Sequence, residues 1–289
     1  MVTKSEIVDI IELIYFIPAL PLTAYIAYKH GFSREAGWLL LVILSLVRII
    51  GASTGIAATI SPSNGLIECS FIMSSIGSTL LVAALTGIVN RVNTGTGRSP
   101  FSSRQTRLLQ LVGIAAVALG IVGGSDLTSS DPDTRANGHT YSKVATILIL
   151  VQFLATVGIA GFTLLNSRYI NTADKKLFMF ALASIPFVLV RVIYSLCTAF
   201  DYNSSNFNLT SNTVAAVALR ACLGVAMEIV ATTLFIVGGL LAPKMQKTQS
   251  YREELTMQQQ HPKYESANVH ETGYQPPHTA PPHHEQGRY

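Results

Sequence analysis

Six ionisable side chains sit inside stretches that are otherwise apolar: Glu12, Arg48, Glu68, Arg191, Arg220 and Glu228. Arg48 is the most demanding of them. It lies near the middle of GWLLLVILSLVRIIGASTG, residues 37–55, a run long enough to cross a bilayer. An arginine at that depth costs upward of about 3 kcal/mol unless it finds an acceptor or water. Other parts of the chain must therefore bring acceptors to it. Glu12, Glu68, Arg191 and Arg220 fall toward the side on which the chain begins, with Arg48 and Glu228 near mid-depth. Arg220 and Glu228 are eight residues apart, which puts them on one helical face about two turns from each other.

Three chemistries fit such a layer. Arg48 and Arg191 can pair with Glu228 and Glu12 and lock helices together. Alternatively, the layer lines a water-accessible recess whose guanidinium groups bind an anionic headgroup or carboxylate through bidentate hydrogen bonds. Or it relays protons or ions, with Glu228 central, because an unpaired carboxylate at that depth would be protonated.

The elements that position these residues are helices. Seven stretches have the length and apolarity to span a bilayer: about 7–28, 36–59, 66–90, 108–124, 144–165, 177–200 and 214–241. The expected fold is all-α, a polytopic membrane bundle of seven transmembrane helices filling residues 1–245. Pro18 and Pro21 predict a kink in the first helix, and Pro186 lies inside the sixth. Loops are expected at 91–106, rich in arginine, at 125–142, at 166–176, basic, and at 201–213, rich in asparagine. Residues 246–289 have no apolar period and are rich in Gln, His and Pro, the composition of a disordered tail.

Composition agrees. Of 289 residues only 12% are charged, with a mean hydropathy of +0.41. A soluble domain carries about 25%. The pI near 9.0 does not point to nucleic acid, because the basic residues flank apolar runs in short loops, the pattern that sets membrane topology. On the side of the N-terminus lie Lys4, Arg135 and Lys143. On the other lie Lys29, Arg34, Arg91, Arg98, Arg104, Arg107, Arg168, Lys175, Lys176, Lys244, Lys247 and Arg252. That imbalance predicts an N-terminus outside and a cytoplasmic tail. Two glycosylation sequons, at Asn203 and Asn208, fall in a loop expected on the outer side. The acidic Glu6, Asp9 and Glu12 argue against a basic-headed signal peptide.

Several functions are disfavoured. No histidine lies in an apolar run, so a zinc hydrolase built inside the bundle lacks ligands. The seventh run has no lysine for a retinal Schiff base. The third and seventh runs lack the acidic-Arg-Tyr and Asn-Pro-x-x-Tyr patterns of the large G-protein-coupled receptor class. No phosphate loop or nucleophile elbow is present. The expectation is a protein that is not an enzyme, with no metal and no cofactor. Cys69, Cys197 and Cys222 are expected as buried free thiols. Gly51–Gly55 and Gly120–Gly124 fit the small-xxx-small pattern and predict close helix packing ahead of homodimerisation.

The stretch from Lys29-His-Gly-Phe to Gly37-Trp38, with Leu-Ser-Leu-Val-Arg48-Ile-Ile-Gly51-Ala-Ser-Thr, Ser61-Pro-Ser-Asn64-Gly-Leu and Ser75-Ile-Gly77, resembles fungal seven-helix membrane proteins grouped as a domain of unknown function. That likeness implies a fungal, membrane-embedded protein and brings no catalytic residues with it. In topology alone the chain is also similar to fungal lipid-translocating exporters. The leading expectation is a bilayer-embedded protein that binds or moves a small anionic or amphipathic ligand, lipid included. The alternatives are a receptor-like sensor signalling through its basic loops and tail, and a structural protein with a charge-locked core. Plasma membrane and endomembrane both remain open.

Overall fold

A computed structural model describes residues 3–31, 37–61, 63–95, 103–170, 172–201, 204 and 213–242. Among these residues there is no strand. Seven helices are long and apolar enough to cross a membrane. They are α1 (Lys4–His30), α2 (Trp38–Ile60), α3 (Asn64–Gly95), α4 (Ser103–Leu127), α5 (Pro132–Leu165), α6 (Thr172–Phe200) and α7 (Val214–Leu241). Asn203 and Asn208 lie outside the described residues, as does the segment expected to be a disordered tail.

The helices are longer than apolarity alone predicts, because polar caps and polar faces extend them. At the start of α1 the Thr3 hydroxyl accepts from Glu6 N at 3.3 Å, and Glu6 Oε2 accepts from Thr3 N at 2.8 Å. This reciprocal pair satisfies two of the free backbone donors at a helix start. The expected 125–142 loop is mostly helix. Asp131 caps α5 through Thr134 N (3.2 Å), with Pro132 at the first helical position, where its missing N–H costs nothing. The Thr134 hydroxyl donates to the same carboxylate at 2.6 Å, and these bonds hold the Asp131 carboxyl below its ordinary pKa. The 91–106 loop is shorter than expected as well. Arg91 is a buried helical residue, its guanidinium 5.9 Å from the Trp38 ring and 3.5 Å from Asp174 Oδ1. The basic 166–176 segment holds a short 3-10 turn, Ser167–Tyr169, before α6 begins at Thr172.

α3 is the central helix. Two-thirds (67%) of its most apolar stretch is enclosed, against 28–44% in the other six, and it packs against α2, α4, α5 and α6. Its core residues Leu81, Leu85 and Ile88 pack in one cluster with Phe16, Trp38, Phe153, Phe178 and Phe235. The outer surface is also apolar: Ile14 is 69% exposed, Leu111 57% and Met179 59%. A soluble monomer does not surround itself with such a surface, and lipid is the solvent that suits it. Several hydroxyls inside the bundle are satisfied by its own carbonyls. Ser45, Thr86, Thr156 and Thr163 each donate to the carbonyl four residues back, and Thr86 and Thr156 join α3 to α5 at 2.8 Å.

Glycines set the closest approaches. A Cβ at Gly120 would stand 2.5 Å from Ser75 Oγ, and one at Gly124 would stand 2.6 Å from Ile72 Cγ1. That small-residue motif of α4 is thus spent on α3, within the chain. Gly37 precedes α2 at φ +73°, and a Cβ there would lie 2.7 Å from the Ala84 carbonyl oxygen. Gly37→Ala therefore meets both backbone strain and a collision with a backbone atom that cannot swing aside. A loss of about 2–5 kcal/mol is expected, from about 1–2 of left-handed strain and 1–3 of overpacking. Thermal unfolding in detergent, with Gly31→Ala as a strained but uncrowded control, measures the difference; Gly31 has φ +85° and nothing within 4 Å of the added carbon.

The cysteines carry no disulfide. Cys69 and Cys197 are half-buried, but Cys222 is exposed, contrary to the expectation of a buried thiol. It projects from the outward side of an irregular turn in α7.

Candidate functional site

Five of the six polar positions singled out by sequence converge. Arg48 of α2 is the hub. Its Nη1 donates to Glu12 Oε1 of α1 at 3.0 Å, and its Nε and Nη2 donate to Oε1 and Oε2 of Glu228 in α7, a bidentate fork. From α6, Arg191 Nε donates to Glu228 Oε2 at 3.2 Å, and its Nη1 donates to Ser195 Oγ at 2.8 Å. The Arg191 guanidinium also sits 5.6 Å from the Tyr194 ring. Glu228 thus serves two guanidinium groups, and four helices are tied at one level. All four side chains are buried, none more than 8% exposed.

Arg220 is held differently. Its Nη2 donates to Asp9 Oδ1 of α1 at 2.5 Å, and its Nη1 donates to Ser5 Oγ at 3.4 Å. Asp9 is buried, whereas the Arg220 side chain keeps 26% of its exposure. In the sequence Asp9 stands out only as one of three acids that argue against a leader peptide. The spacing Ser5, Asp9, Glu12 is the i, i+4, i+7 pattern of one helical face and was the available signal. Glu68 does not join the layer. It accepts from the Thr128 hydroxyl at 3.3 Å, at the end of α3 where that helix meets the end of α4.

A local irregularity aligns the α7 residues. Eight residues of regular α-helix turn through about 800°, which leaves Arg220 and Glu228 roughly 80° apart around the axis. Residues Arg220–Ala226 instead form a π-helical turn, and the sequence carried no cue for it. Such a turn takes up one extra residue, so the pair is separated by the equivalent of about seven α-helical residues, close to two full turns. Arg220 thereby meets Asp9 of α1 while Glu228 meets Arg48 of α2 and Arg191 of α6. Glycines make the remaining room. A Cβ on Gly77 would stand 2.7–2.8 Å from Arg48 Nε, Cζ and Nη2, and one on Gly55 would stand 2.8 Å from Asp9 Oδ2.

Beside the network is a recess with about 60 Å³ of space open to water-sized centres. A bound water needs about 10–15 Å³ on that measure, so the recess suits a few waters or one small polar headgroup. Arg48, Arg191, Arg220, Glu12, Tyr194, Ser70 and Ser74 line it, and Gly224 and Val225 of the π turn close one wall.

Residues 2–245 match the domain of unknown function DUF7702. The chain belongs to that family. No curated protein and no solved structure matches it. The family match covers all seven helices, including every residue of the charged layer.

Proposed function

We propose that this DUF7702 protein is a membrane-embedded binding protein, a carrier or a sensor, for small amphiphiles with one anionic headgroup. The observation carrying this reading is the position of Arg220. A π-helical turn of the kind that clusters at functional sites holds its guanidinium on the wall of the recess. It is 26% exposed, while Arg48 and Arg191 are 8% and 5% exposed and engaged in the Glu228 network. The layer divides its labour accordingly. Arg48, Arg191, Glu12 and Glu228 hold the helices, and Arg220 meets the ligand. The role is binding rather than catalysis, since both oxygens of Glu228 are already taken by guanidinium donors. On the lysine and arginine imbalance described above, the N-terminus lies outside and the tail in the cytoplasm. An epitope added after Tyr289 should react with antibody only in permeabilised cells; reaction in intact cells would reverse the orientation.

The test uses the full chain in phosphatidylcholine nanodiscs, titrated with laurate, with phosphatidate and, as a cationic control, with dodecyltrimethylammonium. Laurate or phosphatidate is expected to bind, and the cation is not. Arg220→Gln should weaken binding by roughly tenfold or more, the worth of a lost charge-assisted hydrogen bond. Tighter binding of phosphatidate identifies a lipid headgroup as the source of the anion, and tighter binding of laurate identifies a free carboxylate. Equal binding of anion and cation, or an unchanged affinity in Arg220→Gln, overturns the reading.

A further inference from the structure

The charged layer is electrically balanced. Arg48, Arg191 and Arg220 face Asp9, Glu12 and Glu228. An anion docking on Arg220 would add one negative charge to a site walled by apolar helices, and an uncompensated charge there is costly. Resting on the binding role proposed above, we infer that anion binding at Arg220 is coupled to uptake of one proton by Asp9. The exchange has a definite course. The ligand anion accepts from Arg220 Nη2, the donor now used by Asp9 Oδ1. The displaced Asp9 carboxylate takes a proton from water and becomes the neutral acid. One anion and one proton enter together, and the layer stays neutral.

Asp9 is the carboxylate suited to this step. Glu228 keeps three guanidinium hydrogen bonds, and Glu12 keeps Arg48, whatever happens at Arg220. Asp9 has Arg220 as its only ion-pair partner among the described residues. Nor does it have another cation within reach. On α1 its neighbours along the same face are Glu6 and Glu12, both acidic. On α2 the adjacent backbone is Gly55, which packs against the carboxylate itself. From α7 it meets Arg220, and Tyr194 of α6 lines the same recess as that guanidinium. A carboxylate so placed and stripped of its one cation is compatible with burial only when protonated.

The sign follows from linkage. Because the complex holds one more proton than the free protein plus free anion, affinity rises as pH falls, by about tenfold per unit. The probe is decylsulfonate, which stays ionised throughout the neutral and mildly acid range, so only the protein titrates. Its dissociation constant is measured across that range for the full chain in phosphatidylcholine nanodiscs. The wild-type protein should show the tenfold slope, and Asp9→Asn should bind with no slope and more tightly than wild type at the alkaline end. A second readout needs no variant. Titration of wild-type protein with decylsulfonate in weakly buffered solution should raise the pH by the equivalent of one proton per anion bound. Binding that is abolished by Arg220→Gln but has no pH slope and no proton uptake overturns the coupling and leaves the anion site standing. A slope removed by Glu12→Gln and not by Asp9→Asn overturns the assignment to Asp9. Absence of decylsulfonate, laurate and phosphatidate binding at every pH overturns the site and the coupling together.

Discussion

Glu228→Ala is expected to be the most damaging single substitution of a side chain in this protein. It removes three hydrogen bonds at once and leaves the Arg48 fork and Arg191 Nε facing an apolar gap. Removing one partner of a buried ion pair costs about 3–5 kcal/mol. Here two guanidinium groups each lose their Glu228 bonds and keep only Glu12 and Ser195 Oγ, so the loss should sit toward the upper end. Glu12→Ala takes away one bond to Arg48 and should cost less, because the fork to Glu228 survives. Arg48→Met should fall between them. The combination Arg48→Met with Glu228→Met deletes one charge of each sign, leaves Arg191 and Glu12 to balance, and restores apolar volume. It should therefore recover more than 1 kcal/mol relative to the sum of the single changes, the scale of coupling seen between groups in contact. Unfolding of Arg48→Met, of Glu228→Met and of the double variant in detergent micelles completes the cycle. Additive losses would show that the pair does not act as a unit, and the structural half of the charged layer would have to be abandoned.

What could be read from the chain alone differs sharply by level. The seven spans were visible because a bilayer demands about 20 apolar residues from every helix, and that requirement is written in the composition of each run. Helix ends were not, because membrane helices continue past the apolar zone wherever a cap or a buried contact supports them. Asp131 with Pro132 starts α5, and Arg91 stays helical against Trp38 and Asp174. Within the layer, the chemistry of Arg48, Glu12, Arg191 and Glu228 was legible, since charges at that depth have few alternatives to one another. The partner of Arg220 was not. Asp9 lies near the chain start, where an acid is unremarkable, and the rotation that delivers Arg220 to it comes from a π turn in an unexceptional run, RACLGVA. Glu68 misled because depth in sequence does not specify azimuth. Its carboxylate accepts instead from the Thr128 hydroxyl, just past the end of α4.

Gly77→Ala should rank second, and its cost should depend on Arg48. The added methyl would stand within 2.8 Å of three guanidinium atoms. A long flexible side chain ordinarily yields to such an intrusion at little cost, but Arg48 is pinned by one bond to Glu12 and two to Glu228, and its stem is buried with it. Either the methyl is accommodated by separating α2 from α3, which forfeits packing along the central helix, or the guanidinium shifts and its hydrogen bonds lengthen. Overpacking of this kind costs about 1–3 kcal/mol, and weakening a buried charge-assisted hydrogen bond adds about 1.5–3. The decisive comparison is made in the Arg48→Met, Glu228→Met background. There the pinned group is gone, a flexible thioether can move aside, and the same Gly77→Ala change should cost less than about 1 kcal/mol. If the loss is equal in both backgrounds, the glycine serves the approach of α2 to α3 alone. If it vanishes with the network, the sequence keeps glycine at position 77 to seat a guanidinium, and the bundle has been shaped around the charges it buries.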